Sequence, residues 1–193
     1  MSKGICFTEE MFNAVIDGRK TQTRRIMKPQ PQTFYNNIPF YSTGRTFEEG
    51  TIIAEIKPRY KAGEIVYLKE PYLPIMRTIY KYDGGDCDPK LKWKNKLFMP
   101  ARYARYFIEI TAVRCKRLRN ISDGDCELEG IFPVCDNTWI VGWSNKSDGK
   151  IYESRKQAYA ALINKINGKG TWECNPFVWV YDFKLTDKPT NNE

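Results

Sequence analysis

Residues 177–185, FVWVYDFKL, constrain the fold more than any other stretch of this chain. Seven of the nine side chains are apolar or aromatic, and Val, Phe, Tyr and Trp favour extended backbone. Strands with one wet face alternate apolar and polar residues, whereas strands covered on both faces read as near-continuous apolar runs. This segment predicts a strand buried on both faces, with Phe177, Trp179 and Tyr181 packing in the core. Any fold for the chain has to place cover on both sides of it.

The remaining elements are short. Ile5, Cys6 and Phe7 read as a strand. Thr8 is an N-cap residue followed by Glu9 and Glu10, whose charges suit a helix start. Met11, Phe12, Val15 and Ile16 give that helix an apolar face, and Gly18 suits its stop. Residues 51–57, 64–69 and 106–113 read as further strands. Ser122 with Asp125, and Ser154 with Gln157, each have the spacing of a capping box. After the second, Tyr159, Leu162, Ile163 and Ile166 recur at i, i+3, i+4 and i+7, a helix stripe ended by Gly168 and Gly170. Residues 28–50, 74–98 and 132–153 are rich in turn formers and read as long loops. The sum is an α+β, mostly β architecture with about three helices, one domain over 1–186 and a flexible tail at 187–193. There is no βαβ rhythm and no Gly-rich phosphate loop, which disfavours a nucleotide-binding α/β fold.

The 193 residues include no histidine, which excludes Ser-His-Asp triads, Cys-His pairs and imidazole metal sites. A general base must then be Asp, Glu, Lys, Tyr or Cys. Six cysteines without a C-x-x-C pair suggest reduced, mostly buried thiols rather than a metal site. No metal or other cofactor is implied. No apolar run reaches the roughly 20 residues of a membrane span, and the N-terminus carries no signal pattern. The expectation is a cytoplasmic protein with no membrane association. A net charge of +8 suggests a polyanionic partner.

The basic segment at residues 18–25 (GRKTQTRR) resembles the opening signature of ASCH-domain proteins in the PUA-like superfamily. The resemblance continues at 63–70 (GEIVYLKE), 99–105 (MPARYAR), 121–130 (ISDGDCELEG) and 175–180 (NPFVWV), covering nearly the whole chain in order. It is closest to the longer ASCH proteins of phages and prophages. It implies a small PUA-like β-barrel with helices at its rim and a cleft over the mouth. It also implies RNA or a modified nucleoside as ligand and, for a phage-encoded chain, the host cytoplasm. Some ASCH proteins are amidohydrolases that deacetylate N4-acetylcytidine using a Lys, a Thr and a Glu; by motif position these fall on Lys20, Thr23 and Glu129. Another is described as a single-strand RNA nuclease, a chemistry harder to build without histidine or an acidic metal cluster.

The catalytic reading makes physical sense: a threonine hydroxyl needs a base, and a lysine serves as one only when desolvation or nearby cations lower its pKa. Lys20 and Thr23 would point to opposite faces of an ideal strand, so they converge only if Lys20 lies in the turn before it. The plainer alternatives are a solvated Lys20 at a helix end, a Thr23 chosen for strand propensity and an exposed Glu129. Glu70, between a strand and Pro71, either lines the same cleft or is a surface charge. For nucleic acid the candidates are the cations Arg19, Arg24, Arg25, Arg102 and Arg105, with Tyr72 and Tyr103 as base stackers and Trp143 as another. A different class of function is a phage protein-interaction module acting on a host protein through the long loops and Trp139/Trp143, since aromatics concentrate at interfaces.

Overall fold

A computed structural model describes residues 3–47, 50–74, 78–83 and 92–189. In chain order the elements are β1 (Gly4–Cys6), α1 (Glu9–Ile16), β2 (Gln22–Ile26), β3 (Thr33–Tyr35), β4 (Ile38–Phe47), β5 (Gly50–Glu55), β6 (Ile65–Lys69), β7 (Tyr72–Leu73), β8 (Ile79–Tyr80), β9 (Phe107–Arg117), α2 (Asp123–Leu128), β10 (Phe132–Asp136), β11 (Trp139–Ser144), α3 (Arg155–Asn167), α4 (Thr171–Cys174) and β12 (Phe177–Thr186). The architecture is α+β and dominated by sheet. Among the described residues no helix is long and apolar enough to cross a membrane.

The main sheet has the order β1-β6-β9-β12-β2, with β1 parallel to β6 and the other neighbours antiparallel. β12 lies inside it, between β9 and β2, as its composition demands. Its side chains divide by strand parity. Tyr181 and Phe183 join one core with Ile5, Phe12, Val15, Leu68 and Ile108. Val178 and Val180 join a second core with Leu118, Cys126, Tyr159 and Leu162. α1 covers the first face; α2 and α3 cover the second. Burying a Val, Leu or Phe side chain is worth about 1.5–3 kcal/mol, so this two-sided strand anchors both layers. Its last residues, Lys184 and Leu185, run out to solvent.

The capping signals correspond to real helix starts. Thr8 accepts from the Met11 amide and Ser154 from the Gln157 amide, while Ser122 and Asp125 form a reciprocal capping box. Of the α3 stripe, Tyr159, Leu162 and Ile163 are buried but Ile166 is 43% exposed.

Several expectations need correction. The five-stranded sheet is open: among the described residues its edge strands β1 and β2 are not paired, so the expected closed barrel is not formed by backbone ladders. β1 is only three residues long, and Arg25 Nη2 on β2 reaches across to donate to Cys6 O at 2.7 Å. The described residues form four α-helices rather than about three, the extra one being a single turn after Gly170. Much of 28–50 is a three-stranded sheet with β5, turned by Asn36 and Asn37, both at positive φ (48° and 64°). Asparagine tolerates that region, which makes Asn-Asn a hairpin signal. Residues 132–153 contain the β10–β11 hairpin. In 74–98, β8 and short 3-10 turns at Lys81–Asp83 and Lys96–Phe98 replace part of the loop. The turn signal at Gly84, Gly85 and Asp86, with Lys90 and Cys87, lies outside the described residues, as do tail residues 190–193. Cys126 is buried, but Cys135 and Cys174 are exposed.

Candidate functional site

Lys20 lies in the turn between α1 and β2. Gly18, at φ 71°, reverses the chain after α1, and the Lys20 amide donates to Ala14 O at 2.9 Å. That placement removes the strand-parity obstacle. The side chain runs inward and is fully buried. Nζ donates to Gln22 O at 2.8 Å, Glu129 O at 2.7 Å and Glu129 Oε2 at 2.7 Å. Glu129 is the C-cap of α2, so the Ser122–Asp125 box that starts α2 also positions the carboxylate that meets Lys20. Three acceptors match the three protons of an ammonium. Burial pushes the Lys20 pKa below the ordinary lysine value; Glu129 opposes this, and the Arg25 and Arg24 charges add to it.

Arg24 extends the network on the other side of Glu129. Its side chain is fully buried, with Nη1 donating to Glu129 Oε1 at 3.2 Å and to Gln22 Oε1, and Nη2 to Asp125 Oδ2 at 2.8 Å. Gln22 Nε2 donates to Asp182 Oδ1 at 2.8 Å, and Arg114 Nη2 donates to the same oxygen at 2.9 Å. Burial raises the Asp125 pKa, but Arg24, Ser122 and Gln22 outweigh it and hold it below the usual aspartate value.

Thr23 points to the opposite face of β2 from Arg24. It lines a 210 Å³ cleft with Phe7, Lys96, Glu129 and Ile163. Its hydroxyl has no hydrogen-bond partner among the described residues. The fold therefore brings Lys20 to Glu129 and Glu129 to the Thr23 cleft, while Lys20 itself makes no hydrogen bond to Thr23. The plainer alternatives for Lys20 and Glu129, solvated and exposed, do not hold.

The remaining candidates separate from this cleft. Glu70 is 0% exposed and bound by the Arg105 fork, Nε to Oε1 at 3.0 Å and Nη2 to Oε2 at 2.7 Å. Arg105 also binds Asp83 and lies 3.8 Å from the Tyr80 ring centroid. Burial raises the Glu70 pKa above the usual value against the opposing pull of Arg105. Tyr72 is buried, its ring 5.1 Å from that of Tyr103. Arg24, Glu70 and Tyr72 are thus buried within the protein, and the half-buried Arg105 is held by Glu70 and Asp83. The reason is electrostatic: a buried carboxylate needs a partner, and the nearest guanidinium is consumed by it. Arg102 is exposed, stacked 5.0 Å from Tyr103, and Arg19 is exposed and paired with Asp17 at 2.7 Å. Trp143 is half-buried beneath Arg155, while Trp139 is 79% exposed at its hairpin turn.

A larger space opens where the sheet does not close. A 690 Å³ cavity between the β1 and β2 edges is lined, among the described residues, by five cations, Arg25, Lys28, Lys57, Arg59 and Lys69, and by no carboxylate. Trp179, half-buried, supplies aromatic wall, while Tyr60 and Tyr181, 4% and 1% exposed, border the space from the core behind it. Only Arg25 and Lys28 of these cations were visible as a local basic run; Lys57, Arg59 and Lys69 come from distant segments. Trp179, expected in the core, is half-buried and contributes to the wall. The nearest sequence signal is the segment 57–60, KPRY, two cations beside a tyrosine. No family model, curated protein or solved structure matches the chain.

Proposed function

We propose that this protein binds single-stranded RNA or a nucleobase-bearing ligand, as an ASCH-type domain whose open sheet approximates a PUA-like barrel with a gap between its edge strands. The observation that carries the reading is the composition of the 690 Å³ cavity: five cations, the half-buried Trp179 and, among its described lining residues, no acidic side chain. Cations neutralise phosphates and aromatic faces stack on unpaired bases. The volume falls within the roughly 300–1,000 Å³ of ligand pockets. The test is fluorescence anisotropy with a labelled single-stranded RNA over a salt series. The plot of log affinity against log salt falls by about 0.7 per phosphate neutralised, so Lys57→Gln with Arg59→Gln flattens it by about 1.4. No binding at low salt overturns the reading.

A second reading, an amidohydrolase on N4-acylated cytosine, is favoured by the 2.7 Å Lys20–Glu129 pair beside a cleft holding the free Thr23 hydroxyl. The reaction adds water across the amide and releases a carboxylic acid and cytidine. Lys20 as found is saturated with acceptors. To take the Thr23 proton it must first pass one to Glu129 Oε2 and turn the freed lone pair toward Thr23. As the Thr23 oxygen takes the acyl group and the C–N bond breaks, protonated Glu129 supplies a proton to the leaving amine. Water then attacks the acyl-Thr23 ester, giving a proton to Glu129 while Lys20 returns one to Thr23, which releases the carboxylic acid; the Glu129 proton passes back to Lys20 and restores the site. Mass-spectrometric detection of cytidine from N4-acetylcytidine, abolished by Thr23→Val, supports this reading; no turnover removes it.

A further inference from the structure

Two spaces meet at one pair of residues. The 690 Å³ cavity and the 210 Å³ cleft are both lined by Cys6 and Arg25, which are joined by the 2.7 Å hydrogen bond from Arg25 Nη2 to Cys6 O. The two spaces differ in size and chemistry. The cleft is below the roughly 300 Å³ at which small-molecule pockets begin, so it holds part of a ligand. It offers the Thr23 hydroxyl, the Glu129 carboxylate and the apolar side chains of Phe7, Met11 and Ile166, the needs of a flat heterocycle. Its three cations are already engaged, Arg24 with Glu129 and Asp125, Lys96 with Phe7 O and the Tyr82 hydroxyl, and Arg25 with Cys6 O. The cavity offers positive charge with no carboxylate among its described lining residues.

We infer that the two spaces form one bipartite site, the cleft taking a nucleobase and the cavity the phosphate attached to it, so that the ligand is a phosphorylated nucleotide or strand end and not a free nucleoside. This rests on the nucleobase-binding reading above and adds the phosphate requirement.

The charges are already oriented. Arg25 lies over the Phe7 ring at 5.3 Å, and its bond to Cys6 O uses one of its five donors. Arg59 lies over Tyr60 at 5.5 Å, and Lys69 is fixed by a 2.8 Å bond to Leu97 O. Lys57 has Glu55 at 3.8 Å, exposed on both sides, a pair too weakly held to resist a phosphate. A neutral nucleoside would leave this cluster of positive charge unanswered. A phosphate would gain charge-assisted hydrogen bonds, the stronger kind.

The experiment is isothermal titration of the wild-type protein with the four nucleosides, their four 5′-monophosphates and inorganic phosphate, beside the single-stranded RNA. At least one nucleotide is expected to bind about tenfold or more tightly than its nucleoside, the size of one good phosphate contact. It is also expected to bind more tightly than inorganic phosphate. Arg25→Gln should erase most of the gap between nucleotide and nucleoside. Because Arg25 is half-buried, Lys57→Gln with Arg59→Gln, both exposed, provides a second variant that should narrow the same gap. Nucleosides binding as well as nucleotides overturns the phosphate requirement while leaving base binding intact. Inorganic phosphate matching every nucleotide overturns the bipartite site. RNA binding without any nucleotide preference overturns this inference alone. No binding by RNA, nucleotides or nucleosides overturns both it and the reading on which it rests.

Discussion

Two buried glutamates in this protein are handled differently. Glu129, 2% exposed, is clamped between Lys20 and Arg24, both with fully buried side chains, and the network continues through Asp125 and Gln22 to Asp182. Glu70, 0% exposed, has one cationic partner, Arg105, whose side chain is 24% exposed and shared with the solvent-facing Asp83. The first cluster ties the α1–β2 turn to the end of α2. The second fastens the β7–β8 region to the segment before β9. The comparison shows what becomes of basic residues near a buried acid: they balance charge inside the fold. The cations left for a ligand are those facing a space with no carboxylate, which is what the cavity between β1 and β2 provides.

The largest effect that would break this comparison is at Lys20. Lys20→Ala leaves Glu129 short of a partner in a dry site, and removing one member of a buried pair costs about 3–5 kcal/mol. Urea denaturation measures it. A loss below about 1 kcal/mol would show that water reaches Glu129. Loss of activity in this variant would therefore not by itself identify a catalytic lysine, which is why Thr23→Val is the cleaner probe of the hydrolytic reading.

Arg105→Ala should cost less, about 1–3 kcal/mol, because the partner removed is itself 24% exposed and Glu70, its pKa already raised by burial, can shed its charge by taking up a proton. The sign is fixed by the raised Glu70 pKa. A carboxyl with a folded value above its unfolded 4.5 favours the folded state fully below pH 4.5, and that contribution is lost as pH rises through the folded value. The penalty of Arg105→Ala should accordingly be smaller at pH 4.5 than at pH 7, by thermal unfolding. Equal penalties at both values would place Glu70 among ordinary solvated acids.

The smallest effects lie at the capping box. Ser122→Ala removes the acceptor of the Asp125 amide and should cost about 1 kcal/mol. Asp125 has the opposite pH sign to Glu70. Its pKa lies below 3.8, so its contribution is present above pH 3.8 and fades as pH falls through the folded value. Acid titration of wild type against Asp125→Asn should diverge above that window and converge below it.

Strand and helix positions that follow local rules were legible in the sequence: the two-sided strand β12, the N-caps Thr8, Ser122 and Ser154, and the apolar stripe of α3. Of the three-stranded sheet, β5 was legible as the strand expected at 51–57, but β3 and β4 were not, although Asn36-Asn37 marked their turn, because β3 is only three residues long and β4 carries Pro, Ser and Gly in place of steady alternation. The motif residues Lys20, Thr23 and Glu129 pointed to one cleft. Their division of labour, with Lys20 closed on Glu129 and Thr23 open, could not be read from spacing.

The sequence alone determined that a doubly covered strand lies at the heart of this protein, that histidine chemistry is excluded, and that its charge is strongly positive. These follow from composition and short-range periodicity, which every peptide segment expresses locally. The tertiary structure decided which charges remain available. Burial turned Arg24 and Arg105 inward, because a desolvated carboxylate binds the nearest cation. The unpaired edges of β1 and β2 gathered Arg25, Lys57, Arg59 and Lys69 from distant segments around one space, and only the folded chain brings such residues within reach of one ligand.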